Sequence, residues 1–410
     1  MNNKKNILFF FTADFPFGNQ EAFLENEITI LSKNFDRIVI ISGANDLSFE
    51  RSLPKTVEVK NIPYENTFTF FQKILAFCNL RLYKEFFLML FFYKRLPNYG
   101  RVKTVLRSYL NSSILEVIYN SEISKYSSYK KYLYSFWFND STISMGLLKK
   151  KNKEITTLSR AHRWDLYFEE NKYNYLPFRK QTTSYLDSIY SASEEGIEYC
   201  KNYWKISNSK KLKLARLGVK NQKFLPLVFN QKVIVSCSNL YSWKRVDKII
   251  SALSHLKNKN IEWYHFGDGP EYRKVLSLAK KLLNENIYFK FLGRVDNNTL
   301  LDWYKKKNPS IFINLSSSEG VPVSIMEAMS FGIPCVATNV GGCGELVTRN
   351  SGFPVDVNLS NKEIAKIIDD FLNLKVEKQE EKRKNAYNHI IDEFNAEKNY
   401  TLFCSDVLAH

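Results

Sequence analysis

"SIFINLSSSEGVPVSIMEAMSFGIPCVATNVGG", residues 310–342, reads as strand, loop, helix and strand in succession. SIFINL (310–315) is short, β-branched and aromatic, and PCVAT (334–338) repeats that character. Between them Pro322 suits the first turn of a helix, and Gly332 with Pro334 ends it. Two strands joined through one helix make a parallel crossover. Working outward, the alternation recurs, with strands at 233–237, 262–266 and 287–292 and helices at 246–256, 270–283, 297–306 and 362–374. The second half is therefore predicted to be α/β, a parallel sheet covered on both faces.

The first half follows the same plan less regularly. Strands are predicted at 6–11, 37–41, 132–138, 154–159 and 188–193, interrupted by a helix-rich insertion over about 66–130. The fold expected is α/β, two Rossmann-like domains facing across a ligand-binding cleft. Their limits are set at 1–225 and 226–393, with a linker near 221–230 and a terminal helix over 394–410. In such sheets ligands bind beyond the carboxyl ends of the strands.

Size and charge narrow the function. A chain of 410 residues exceeds one ordinary core, and its 44% hydrophobic content excludes a disordered chain. The formal charge of +17 is concentrated early: residues 1–225 hold 35 Lys/Arg against 21 Asp/Glu, and 51–150 hold 16 against 6. A basic, aromatic-rich first half suits an anionic partner such as a lipid surface or a pyrophosphate-linked acceptor. No zinc-finger, ribonucleoprotein or basic-zipper pattern accompanies the charge, which argues against nucleic acid. No apolar run is long enough to span a bilayer, and six cysteines without a Cys-x-x-Cys pair read as free thiols of a reducing, cytoplasmic compartment.

The opening stretch also carries two carboxylates. Glu319 lies in the loop after SIFINL, and Glu327 about one turn into the helix. The N–H groups of Val323 and Ser324 at the start of that helix favour a phosphate or diphosphate. A carboxylate beside a phosphate needs hydroxyls to contact. Glu327 is placed to take a ribose diol, and Glu319, with Gly320 beside it, a sugar on the far side of the diphosphate.

This stretch resembles the E-x7-E signature of the retaining glycosyltransferases of family 4, which have the GT-B fold. "FFTADFPFGNQEAFLENEI" resembles the family's first strand and glycine loop, "LSRAHRWDLY" its R-x-H-x-x-D segment, and "SCSNLYSWKRVDKII" its G-R-L-x3-K segment. "FGDGPEY", "FLGRV" and "VGGCGELV" follow in the family's order. The resemblance implies that Glu319 holds the donor sugar, Glu327 the ribose, and Lys244 the diphosphate leaving group. It implies donor-sugar contact for His162, with Arg160 and Asp165 in support. Asn239 stands where the family often has Arg, which shifts the charge expected on the leaving group to Lys244 and Arg245. Gly18 and Asn19 are expected to bring backbone N–H groups to phosphate or acceptor, and Arg294 and Val295 to frame the base. In relatives the terminal helix returns to the first domain.

The activity so implied is transfer of a hexosyl unit, with retention, from a nucleotide-diphosphate sugar to a hydroxyl of a cell-envelope glycan or polyprenyl-linked acceptor. No cofactor and no metal are expected, since no Asp-x-Asp motif occurs and Lys244 with the helix end can carry the charge. A peripheral contact with the anionic inner face of the plasma membrane fits the basic insertion. The donor base (UDP, GDP or ADP) stays open. The rival readings are a catalytically weak sugar-nucleotide binder and, on the same fold, an epimerase.

Overall fold

The computed structural model describes residues 4–18, 21–63, 68–69, 72, 74, 76–206, 208, 209–228, 232–258, 260–283 and 287–410. The chain divides into two units, Met1–Ala215 with Tyr400–His410, and Arg216–Asn399.

In the first unit, seven strands form one sheet among the described residues. They are β1 (Asn6–Thr12), β2 (Arg37–Ser42), β3 (Val57–Asn61), β4 (Lys130–Ser135), β5 (Thr156–Ala161), β6 (Ser188–Ser191) and β7 (Leu212–Leu214), in the order β3-β2-β1-β4-β5-β6-β7. Every pairing is parallel. Alternation in β1 sends Ile7, Phe9 and Phe11 to one face, where Leu115, Tyr119 and Ile123 of the helix Tyr99–Ser124 cover them. Phe10 points to the other face and stacks on Tyr134, which meets Phe403 of the terminal helix Ala396–Leu408. The insertion thus contains a long crossover helix of 26 residues, preceded by the helix Leu80–Phe87 and a π-helical turn Leu88–Phe92.

The second unit holds a six-stranded sheet. Its strands are β8 (Val233–Cys237), β9 (Ile261–Phe266), β10 (Ile287–Phe291), β11 (Ile311–Asn314), β12 (Cys335–Thr338) and β13 (Phe353–Val355), in the order β10-β9-β8-β11-β12-β13, again all parallel. Its helices are fixed by local chemistry. Asp296 caps Asn297–Lys307 by accepting from Thr299 N at 2.9 Å, three lysines lie in the last turn, and Asn308 leaves it in a left-handed conformation. Ser360 and Glu363 close a capping box on Asn361–Leu372.

Four details depart from the sequence reading. β4 ends at Ser135 rather than 138, because Phe136–Phe138 leave the sheet to line the strand end. Pro322 is the residue before the helix Val323–Met329, its carbonyl accepting from Ile325 N at 3.2 Å. The second unit starts at Arg216, before the expected limit at 225, because Val219 pairs in both directions with the chain around Asn395: its N–H reaches Phe394 O and its carbonyl accepts from Ala396 N. The return to the first unit begins at Tyr400, later than the expected 394.

Candidate active site

The order of the second sheet reverses between β8 and β11, and the chain leaving these neighbours carries the key charges. Lys244, past β8, places Nζ 2.6 Å from Glu319 Oε1, past β11. Asn314 Nδ2 donates to the same oxygen at 3.2 Å. Both partners are largely buried, with side-chain exposures of 20% and 7%. The loops are locked together: Ser317 N donates to Trp243 O at 2.8 Å, and Gly342 N to Gly320 O at 2.8 Å. A Cβ at Gly341 would lie 2.1 Å from Glu319 O, so only glycine lets the two backbones come this close. The resemblance implied different parts of a ligand for Lys244 and Glu319; the structure joins them as an ion pair.

Glu327 lies half-buried on the helix Val323–Met329 and accepts from Asn297 Nδ2 at 2.5 Å. Burial pushes its carboxyl up to about 7, against a smaller opposing effect of the Asn297 bond. Val323 and Ser324 open this helix, so their N–H groups precede its i→i−4 ladder. Asn297 was not singled out from sequence; its position at the start of the preceding helix, Asn297–Lys307, was the available signal. Arg294, after β10, donates from Nη2 to Asn239 Oδ1 at 3.1 Å, and the half-buried Val295 follows it. Arg245 is turned elsewhere: both Nη atoms donate to Val357 O, at 3.0 and 3.1 Å. Its guanidinium holds a structural carbonyl, so the shift of charge from position 239 to Arg245 finds no geometry here.

The first sheet reverses between β1 and β4. His162 follows β5, and its ring stacks on Phe136 at 4.2 Å with Trp137 edge-on at 4.9 Å. Its Nε2 lies 3.1 Å from Phe136 O. A carbonyl only accepts, so Nε2 carries the proton and Nδ1 is left as an acceptor. Burial, and then the Arg160 guanidinium, push the pKa of His162 well below that of a free imidazole, which keeps the ring neutral at pH 7. Asp165 accepts from His162 N at 2.9 Å and Phe138 N at 2.7 Å, fixing the strand end that carries the histidine. Burial pushes Asp165 up to about 6.

Arg160 is fully buried and pairs with Glu27 at 2.9 Å, its guanidinium against the Phe403 ring at 4.7 Å. It lies in the core, also against the rings of Tyr134 and Phe136. Gly18 also departs from expectation, because its N–H is donated to Phe49 O at 2.9 Å and its carbonyl accepts from Arg51 Nη1. That amide is therefore spent within the protein. Asn19 lies outside the described residues. The loop after β1 is held by Glu21, which sequence reasoning missed: its carboxylate accepts from Ala13 N, Asp14 N, Phe15 N and Trp137 Nε1.

Residues 220–389 match the family model described as Glycosyl transferases group 1. Among curated proteins, the chain is 30% identical over 130 residues to the N-acetyl-alpha-D-glucosaminyl L-malate synthase of Bacillus anthracis, covering 31% of this chain and 33% of that protein. It is 29% identical over 182 residues to the O-antigen biosynthesis glycosyltransferase WbnH of Escherichia coli, covering 42% of this chain and 51% of that one. These matches span about a third to a half of the length of the relatives. Among solved structures, Anabaena Alr3699/HepE in complex with UDP and glucose superposes with a TM-score of 0.65 at 15% identity, over 99% of this chain and 100% of the other. That likeness is one of fold, and the fold is the GT-B type, two parallel-sheet Rossmann-like units.

Proposed function

We propose that this protein is a retaining, metal-independent glycosyltransferase that moves a hexosyl unit from a nucleotide-diphosphate sugar to a hydroxyl of a cell-envelope glycan or polyprenyl-linked acceptor. The observation that carries the reading is the Lys244–Glu319 pair at the reversal between β8 and β11, inside the segment that matches the family model. In this reading Glu319 accepts hydrogen bonds from the donor sugar, and Lys244 offsets charge as the bond from the anomeric carbon to the phosphate oxygen breaks. The acceptor oxygen bonds to the anomeric carbon on the face the phosphate leaves, and its proton passes to the departing phosphate oxygen. Glu327 holds the ribose hydroxyls. His162, neutral and with Nδ1 as acceptor, contacts a hydroxyl of the donor sugar. Asp165 and Arg160 position it from beneath.

The WbnH likeness favours an envelope glycan as acceptor. The insertion favours a membrane-borne one. Leu80, Tyr83, Phe87 and Phe91 recur at helical spacing and are 84%, 53%, 60% and 64% exposed, while Leu82, Glu85 and Met89 face inward. Between Asn66 and Leu115 the sequence has eight Lys or Arg and one acidic residue, Glu85, which is buried. An apolar stripe set in positive charge suits the surface of an anionic leaflet. Among the described residues no helix is long and apolar enough to cross a membrane.

The test is release of nucleoside diphosphate from a panel of UDP-, GDP- and ADP-sugars in the presence of envelope glycan or lipid-linked acceptors. Acceptor-dependent release with an α-configured donor giving an α-linked product supports the reading. Donor binding without release on any acceptor supports the inert binder instead. Activity is expected to persist in EDTA; loss restored by Mg²⁺ or Mn²⁺ overturns metal independence.

A further inference from the structure

We propose that Arg294, held in place by the neutral amide of Asn239, is a second cation, beside Lys244, that grips the diphosphate of the nucleotide donor. This deepens the reading above and rests on it.

The other cations on these loops are engaged within the protein. Lys244 shares its charge with Glu319 at 2.6 Å. Arg245 gives both Nη atoms to Val357 O. Lys248 donates to Val357 O at 3.2 Å and Leu359 O at 2.7 Å. Arg294 differs. Its one hydrogen bond among the described residues goes to Asn239 Oδ1 at 3.1 Å, and no carboxylate there lies within ion-pair distance of it. A guanidinium has five N–H donors in a fixed plane, so one bond to Asn239 leaves a fork for a phosphate.

Asn239 suits this task because of what it lacks. A carboxylate at that position would orient the arginine and cancel its charge. An amide oxygen orients it and leaves the full charge for a ligand. Both residues stand on anchored backbone. Ser238 N and Leu240 N, on either side of Asn239, donate to Phe266 O and Asp268 O at 2.9 Å each. Gly267 N donates to Gly293 O at 2.8 Å, and Leu292 N to His265 O at 2.8 Å, immediately before Arg294. A Cβ at Gly267 would lie 1.9 Å from Ser238 O, which shows how tightly the β8 and β9 loops are packed. The fork is therefore built on a rigid strand-end platform, and Asn297, three residues on, reaches Glu327. A diphosphate is the multiply anionic part of the donor, and it lies between the ribose that Glu327 would hold and the sugar that Glu319 would hold.

The test is calorimetry on the full chain with UDP, GDP and ADP, each beside its monophosphate and nucleoside, for the wild type, Arg294→Gln, Asn239→Ala, the double variant and Asn239→Arg/Arg294→Gln. Because Arg294 is exposed, its substitution is expected to leave the melting temperature unchanged. Arg294→Gln is expected to weaken the preferred diphosphate by about tenfold to a hundredfold, the range of one charge-assisted contact, with nucleoside affinity unchanged. Asn239→Ala should weaken it less and add nothing to Arg294→Gln, and Asn239→Arg should restore most of the loss. In turnover assays Asn239→Ala should raise KM for the donor with little change in kcat. Equal losses for nucleoside and diphosphate would make Arg294 a base contact and overturn the proposal, as would diphosphate binding indifferent to Arg294→Gln. A wild type that binds no nucleoside diphosphate overturns the donor-site reading and this proposal together.

Discussion

Glu319 and Lys244 illustrate how one buried contact constrains chemistry. Taking one partner away leaves the other charge poorly solvated, so single substitutions here act on stability as well as on the reaction. Glu319→Ala is expected to lower turnover by at least about a hundredfold while a nucleotide sugar still binds, measured by single-turnover kinetics beside calorimetry. Loss of binding in step with turnover would remove the assignment of Glu319 to the reacting sugar. Glu327 titrates where it can be tested. Its carboxyl, raised from 4.5 to about 7 by burial, is largely protonated at pH 6 and ionised at pH 8. As an acceptor for ribose hydroxyls it works best ionised. Affinity for a nucleotide sugar, whose diphosphate does not titrate in this window, should therefore rise about tenfold from pH 6 to pH 8 and become flat in Glu327→Gln. The folded state holds this proton longer than the unfolded chain. The resulting stabilisation is present below about pH 4.5 and lost as pH rises through about 7.

Among elements, the helix Leu80–Phe87 with its π-helical continuation makes the clearest prediction. Phe87 and Phe91 touch at 4.8 Å and are both exposed, so replacing them with Ser should leave the core intact. Flotation with anionic vesicles is expected for the native chain and strongly reduced for Phe87→Ser/Phe91→Ser. Equal flotation with neutral vesicles would sink the electrostatic part of the idea. The central strands were legible in sequence because they are continuous apolar runs between turn residues. β3, with Glu58 and Lys60 in a half-buried edge strand, shows no such run. β7 and β13 span three residues each, too few for any period to register. The site was legible in its residue types and less so in its contacts. Lys244 meets Glu319 across 75 positions, and Arg160 meets Glu27 across 133, separations at which local pattern carries no information. Gly18 misled for a related reason: its loop shows a flexible residue, and only tertiary pairing with Phe49 shows that the amide is occupied.

At the scale of the molecule, the first unit depends on Tyr400–His410. Phe403 packs on Tyr134 and Tyr190 at 4.9 Å each and lies under the Arg160 guanidinium. Asp406 accepts from Tyr190 and Lys213. Ending the chain at Asn399 would uncover the fully buried Arg160–Glu27 pair as well as these rings. Calorimetric unfolding of that truncation should show a lowered transition for the first unit and an unshifted one for the second. Phe403→Ala, which only opens a cavity, should cost about 3–5 kcal/mol by the same measurement.

A unit assembled from two distant stretches also has a history in time. On the ribosome, the segment from Tyr400 is made only after all of the second unit, so the first sheet waits until then with one side unsealed. The first unit is begun before the second and completed after it.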